Sequence, residues 1–316
     1  MSGKSGNNLE LNIFQRVALE LLWGFSRVMS ITPRWFRFGL FQPTIALLFR
    51  LIGYRRRVIE SNLQQAFPEK SEEEIRTIRN RFYSTLAEIA IDTVCLAGVD
   101  IKSRGKHIVW ENREEHLAAV KGRDWVALAS HFGCWEYFPM YAWEFDNVRF
   151  MSVYHPLRSD IFEAYYRRIR QYAPNIDQVP MALTPRHYMA NRDKGYNICL
   201  GLISDQSPVL SANTEWIEFL GRPTAFVDGG ARIAQKFMLP AYFGRIRRIK
   251  PGQYGVTLEL IYDGQEQVAT MEIVRRYAER LEQMIRETPE LWLWSHKRWK
   301  HTPEKQARRF GKSTLE

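Results

Sequence analysis

Cysteine is scarce in this chain. Its three residues, Cys95, Cys134 and Cys199, lie far apart and show no metal-ligand spacing. A zinc ribbon and a disulfide framework are both excluded, no metal site is implied, and a reducing compartment is the natural setting. A secretory pattern is missing too: the first apolar stretch is punctuated by Arg16, Glu20 and Arg27 and lacks a small-residue cleavage site. The body of the protein is therefore expected to stay in the cytoplasm. There is no internal repeat, no low-complexity segment and no clean linker after residue 60.

What is present is a large apolar content, 45% of residues, ample for a sizeable core. Lys plus Arg number 45 against 35 Asp plus Glu, and this net charge of +10 calls for an anionic partner: nucleic acid, an anionic membrane or an acidic protein. Aromatic residues make up 13%, ten of them Trp, and such rings favour membrane interfaces. No nucleic-acid recognition signature is found, so a membrane surface is the preferred partner.

Leu11 to Ile31 reads as a helix whose three charges fall within about 40° of one another, leaving a broad apolar face. A second apolar stretch, Phe38 to Ile52, carries only Arg50, is interrupted by Pro43, and is short of the roughly 20 residues that span a bilayer. It is expected to lie in the membrane surface, with Arg55, Arg56 and Arg57 facing anionic lipid. A buried helical pair inside the domain is the competing reading. Ser71 and Glu74 form a capping box that opens a helix running to about Leu96.

From residue 107 onward strands and helices alternate. Strands are expected at 107–110, 125–129, 148–154, 197–204, 240–247 and 254–261, and helices at 113–121, 135–143, 160–172, 185–193, 228–237 and 270–287. The fold class is α/β: a central mixed, mostly parallel sheet flanked by helices, behind an N-terminal membrane-associated helical segment. Pro251-Gly252 suggests an antiparallel hairpin at one edge. The organisation expected is an anchor over 1–60, an α/β domain over 61–303 and a basic tail over 304–316.

The segment from Val126 to Glu136 is a buried-looking strand that ends on Ser130-His131 and turns through Gly133. Function often sits at such a carboxyl end. Continuous helix would hold His131 and Glu136 about 140° apart, so the two meet only if the chain turns between them, as glycine permits. A carboxylate on Nδ1 would then leave Nε2 as a general base. Arg170 reads equally as a solvated helix residue or an anion ligand, and Asp205 as a turn residue or a participant in binding. Gly229-Gly230 opens a helix whose free N–H groups suit a phosphate or oxyanion, although close packing explains the glycines as well. Cys134 could instead be a nucleophile, but no adjacent Lys or Arg depresses its pKa.

The segment around His131 and Glu136 resembles the lipid A biosynthesis acyltransferases, the late lauroyl and myristoyl transferases. So do Arg57 to Pro68, Tyr154-His155-Pro156-Leu157 with Arg170, Leu202 to Gln206, Phe219 to Pro223 and Pro289 to Pro303. These stretches fall in family order. His155 departs from the pattern, standing where arginine is usual. The resemblance implies a His131–Glu136 catalytic dyad, substrate contacts from Arg170, Asp205, Gly229 and Gly230, and transfer of a fatty acyl group to a lipid hydroxyl without a metal or redox cofactor. It further implies an acyl carrier protein thioester as donor, a phospholipid membrane bearing the lipid acceptor, and the cytoplasmic face of the inner membrane as location. Rival readings are an acyltransferase acting on another glycolipid, an amino-acid lipid or a lysophospholipid, and a non-enzymatic peripheral membrane protein. Two basic clusters, Arg245 to Lys250 and His296 to Arg309, are candidate docking sites for the acidic donor.

Overall fold

A computed structural model of the chain describes residues 11–311. The first ten residues of the expected anchor and the last five of the basic tail lie outside them. The helices are α1 (Ile13–Ile31), α2 (Gln42–Leu51), α3 (Arg56–Ala66), α4 (Glu72–Cys95), α5 (Arg113–Ala119), α6 (Asp160–Arg170), α7 (Thr184–Asn191), α8 (Gly229–Phe237), α9 (Thr270–Glu287) and α10 (Pro303–Phe310). The strands are β1 (Ile108–Trp110), β2 (Trp125–Ala129), β3 (Val148–Tyr154), β4 (Ile176–Pro180), β5 (Asn197–Ile203), β6 (Ile217–Phe219), β7 (Arg222–Thr224), β8 (Ala241–Lys250) and β9 (Gln253–Tyr262).

Seven strands form one sheet in the order β1-β9-β8-β2-β5-β3-β4. Every neighbouring pair is parallel except β8–β9. The central strand β2, Trp-Val-Ala-Leu-Ala, is buried at all five positions, as expected of a parallel strand covered on both faces. The antiparallel hairpin β8–β9 is present, but it is not the edge of the sheet. β1 continues the sheet beyond it, and the two edges are the short β1 and the polar β4.

Local chemistry explains the helix starts. Ser71 caps α4: its hydroxyl accepts from the Glu74 N–H while the Glu74 carboxylate accepts from the Ser71 N–H at 2.8 Å, and three glutamates occupy the positive first turn. Asn12 and Gln15 form the same box on α1. The stretch expected as a helix at 135–143 is a 3-10 helix, Trp135–Glu144, because Pro139 lies inside it and cannot supply an α-helical N–H.

The N-terminal helices lie on the body, with α1 against α4 and α6 and α2 against α4. Polar groups of α1 tie it to the body, although Arg16, Glu20 and Arg27 themselves stay exposed. Glu20 pairs with Arg168 of α6 at 2.6 Å, Arg27 donates to the Ala97 carbonyl at 2.7 Å, and the Ser26 hydroxyl meets that of Tyr165 at 2.7 Å. Phe14, Val17, Leu21, Phe25 and Val28, spaced along another face of the helix, are exposed. Residue 60, the boundary expected between anchor and body, falls inside α3, which packs on α4. Among the described residues no single helix is long and apolar enough to cross a membrane; 36–51 and 56–66 pass together only as a pair bent by 91°.

Candidate active site

β2 and β5 are adjacent and parallel, with Ala129 opposite Ile203. His131 and Asp205 each lie two residues beyond that last pair, so the register alone brings them side by side. The His131 N–H donates to Asp205 Oδ2 at 3.1 Å, and Nδ1 stands 2.7 Å from Oδ1. Trp292 Nε1–H donates to Oδ2 at 2.8 Å. Asp205 is only 2% exposed. Burial pushes its carboxyl up, but the opposing pull of His131 and the hydrogen bonds from His131 and Trp292 prevail and leave it below the ordinary aspartate value.

The segment after β2 is clamped from the other side. Phe132 bridges to Trp292, Gly133 N–H donates to the Leu291 carbonyl at 2.9 Å, and Leu293 N–H donates to the His131 carbonyl at 3.0 Å. Gly133 has φ +53°, and a Cβ there would stand 2.6 Å from the Tyr254 ring. Glycine is required at this turn on both counts. The His131 ring packs edge-on to Trp135 at 4.8 Å, and the Gln206 side-chain amide lies 3.1 Å from Nε2. Nδ1–H held by Asp205 leaves Nε2 with a lone pair, the state of a general base.

The carboxylate on Nδ1 therefore belongs to Asp205, which corrects the expected hydrogen bond between His131 and Glu136. Leaving the turn in a 3-10 helix, Glu136 faces α6, where Arg170 donates from Nε to Oε2 at 2.7 Å and from Nη2 to Oε1 at 2.6 Å. This fork engages both oxygens. Although burial works against its charge, Glu136 keeps the Arg170 guanidinium firmly protonated, and its plane lies over the Tyr166 ring at 4.8 Å.

His131, Glu136, Arg170 and Gln206 all line one cavity of about 480 Å³. Its remaining walls are mainly apolar, including Phe138, Phe150, Val153, Leu157, Leu202 and Val209. A few polar groups line a largely apolar space, as in a site for a long apolar substrate. His155 lines it too, on a loop fixed to α6 by Glu163, which accepts from the Tyr154 hydroxyl and the Leu157 N–H.

Asp205 stands behind His131 and does not line the cavity, so its expected contact with substrate is corrected to a contact with the imidazole. Gly229 and Gly230 also lie off the cavity wall. A Cβ on Gly230 would stand 2.6 Å from Leu128 of β2, which makes it a packing glycine. Cys134 is buried, and burial drives its thiol well above the ordinary range, away from the thiolate that a nucleophile needs. The first basic cluster is largely engaged within the protein, whereas in the second Lys297, Lys300, Lys305, Arg308 and Arg309 are exposed. Arg245 pairs with Glu259, Arg247 with Glu111 and Arg248 with Glu88, while Arg298 is buried against Phe226 at 4.4 Å. Sequence reasoning did not place Gln206 beside the imidazole or Trp292 on Asp205. Both lie in stretches that carry the family resemblance, Leu202 to Gln206 and Pro289 to Pro303, which was the available signal.

The α/β fold thus presents an imidazole, held by a buried carboxylate, to a largely apolar cavity. Residues 7–301 match the family described as bacterial lipid A biosynthesis acyltransferase, and the chain belongs to that family. It is therefore an acyltransferase. Among solved structures it is similar to the 1-acyl-sn-glycerophosphate (LPA) acyltransferase PlsC from Thermotoga maritima, at 14% identity over 88% of this chain and 97% of that one, with a TM-score of 0.32. No curated protein matches it.

Proposed function

We propose that the protein moves a fatty acyl group from an acyl carrier protein thioester onto a hydroxyl of a lipid A precursor at the cytoplasmic face of the inner membrane. The observation that carries this reading is the imidazole, fixed by a buried carboxylate, on the wall of a largely apolar cavity. The acyl chain lies among Phe138, Phe150 and Leu202, where each buried methylene contributes about 0.8 kcal/mol. The acceptor hydroxyl displaces the Gln206 amide from Nε2, gives up its proton there and attacks the thioester carbonyl. The negative charge that develops on the carbonyl oxygen falls to Arg170 or to backbone N–H groups. Collapse breaks the carbon–sulfur bond, and the departing thiolate takes the proton from the imidazolium.

In this mechanism Asp205 fixes the tautomer of His131. Glu136, the acidic member of the dyad that the family resemblance implies, aims Arg170 into the cavity. The thioester is already activated, so the chemistry requires no metal or redox cofactor. Membrane placement is supported by the apolar face of α1, left outward while Glu20 and Arg27 tie the helix to the body. The test is to incubate the purified protein with mixed acyl carrier protein thioesters and total inner-membrane lipid, and to follow lipid masses. A lipid A precursor that gains one acyl unit supports the reading. Gain only on a lysophospholipid, another glycolipid or an amino-acid lipid would replace the acceptor, and no gain on any lipid would defeat the proposal.

A further inference from the structure

A second cavity, of about 420 Å³, opens where the end of α1, the π-helical turn Phe36–Phe41, α4 and the β8–β9 turn meet. Four cations line it: Arg34, Arg37, Lys106 and Lys250. Among the described residues none of the four takes part in an ion pair, in contrast to the neighbouring arginines of β8. Arg34 and Arg37 both lie against the Phe38 ring, at 4.9 and 5.7 Å, and Arg37 Nε is buried without a hydrogen-bond partner. Four like charges around one hollow repel one another until an anion enters.

The acids nearby do not neutralise them. Glu88 is occupied by Arg248, the Gly252 N–H and the Tyr254 hydroxyl. Asp92 is the one acid in the lining, and burial next to Glu88 favours its neutral form. Its Oδ2 also lacks a partner. His107 is held neutral by burial and by Arg37 and Lys106, its pKa brought down to about 4. The cavity thus offers charged donors to a ligand rich in acceptor oxygens, which describes a phosphate. Immediately outside it, Ile31, Trp35 and Leu40 are exposed, continuous with the apolar face of α1 and α2.

We propose that this cavity binds the phosphate-bearing head group of a membrane lipid of net negative charge, one without the cationic choline that the four cations would repel, whose acyl chains extend along the exposed apolar helices. The inference rests on the membrane placement of α1 proposed above. It assigns the junction between the N-terminal helices and the body as a lipid head-group site separate from the His131 cavity.

Flotation of the full chain with vesicles tests it. Vesicles of phosphatidylcholine alone are compared with vesicles that also contain phosphatidylglycerol, for the parent, for the double variant Lys106→Ala/Lys250→Ala, and for Arg308→Ala/Arg309→Ala. All four substituted residues are exposed, so folding is preserved, and the two variants lose equal charge. The expected result is phosphatidylglycerol-enhanced binding of the parent that falls by about tenfold or more in the cavity variant and much less in the α10 variant. Equal losses in the two variants would overturn the site in favour of general surface charge. Binding to phosphatidylcholine that phosphatidylglycerol does not improve would overturn it while leaving the membrane placement intact, and failure to bind either vesicle would remove both. Calorimetry with inorganic phosphate is the second arm. Phosphate binding that the cavity variant lacks, with vesicle composition making no difference, would assign the cavity to a soluble phosphate and overturn the lipid assignment.

Discussion

Asp205 Oδ1 stands 2.7 Å from His131 Nδ1, and the two residues occupy equivalent positions beyond the ends of adjacent parallel strands. An asparagine at 205 keeps the shape but removes the charge and the control of tautomer. Asp205→Asn is therefore expected to lower kcat by about a hundredfold to ten-thousandfold with little change in KM. Glu136→Gln should cost less in kcat, because Glu136 acts through Arg170. Steady-state kinetics of both variants decides the matter: a severe loss in Glu136→Gln beside a mild one in Asp205→Asn would restore Glu136 as the partner of the imidazole.

The Glu136–Arg170 fork is a buried pair, with side-chain exposures of 6% and 18%. Removing one partner leaves the other charge without compensation, so Glu136→Gln and Arg170→Gln should each destabilise the fold by about 3 kcal/mol. The double variant should lose less than the sum by at least about 1 kcal/mol. Denaturant unfolding of the four proteins completes the cycle, and strict additivity would contradict a direct interaction.

Much of the architecture was legible because long amphipathic and buried segments carry their own period. The capping box at Ser71, the buried run of β2 and the helix at 270–287 all lie where the pattern placed them. β4 was not legible: Ile-Asp-Gln-Val-Pro is an edge strand buried at only two of its five positions, and it lacks the apolar run of its neighbours. α10, capped by Thr302 and opened by Pro303, looked like a basic tail because its charges outweigh its few packed residues. At the site, His131 and its turn could be read, but its carboxylate could not. Asp205 lies 74 positions away, and only the pairing of β2 with β5 brings it near. Strand order is a property of the whole sheet, whereas the five-residue spacing to Glu136 is local and attracted the assignment.

His116 provides a pH-dependent signature. It packs edge-on to Tyr242 at 4.3 Å, neither ring nitrogen has a hydrogen-bond partner, and burial lowers its pKa from 6.5 to about 4. Between those values the unfolded chain takes up a proton that the folded one refuses. This contribution to stability is therefore complete above pH 6.5 and is lost as the pH falls toward 4. His116→Phe should flatten the acid limb of a plot of Tm against pH while changing Tm little near neutrality. Parallel curves for parent and variant would show that the ring is solvated.

Cys134 adjoins the catalytic turn but is buried with a raised thiol pKa. Cys134→Ala should keep turnover within about threefold of the parent, since an inert thiol contributes only packing. Loss of turnover, together with an acyl-thioester trapped on the parent protein and seen by intact mass, would assign the cysteine a covalent role.

The most direct test of the account is the single-turnover rate of acyl transfer by His131→Ala, with its folding checked by thermal unfolding, compared with the parent on the same thioester and lipid. If Nε2 is the base, the rate should fall by at least about a hundredfold while Tm stays close to that of the parent. Transfer at the parental rate by a folded His131→Ala protein would contradict the account.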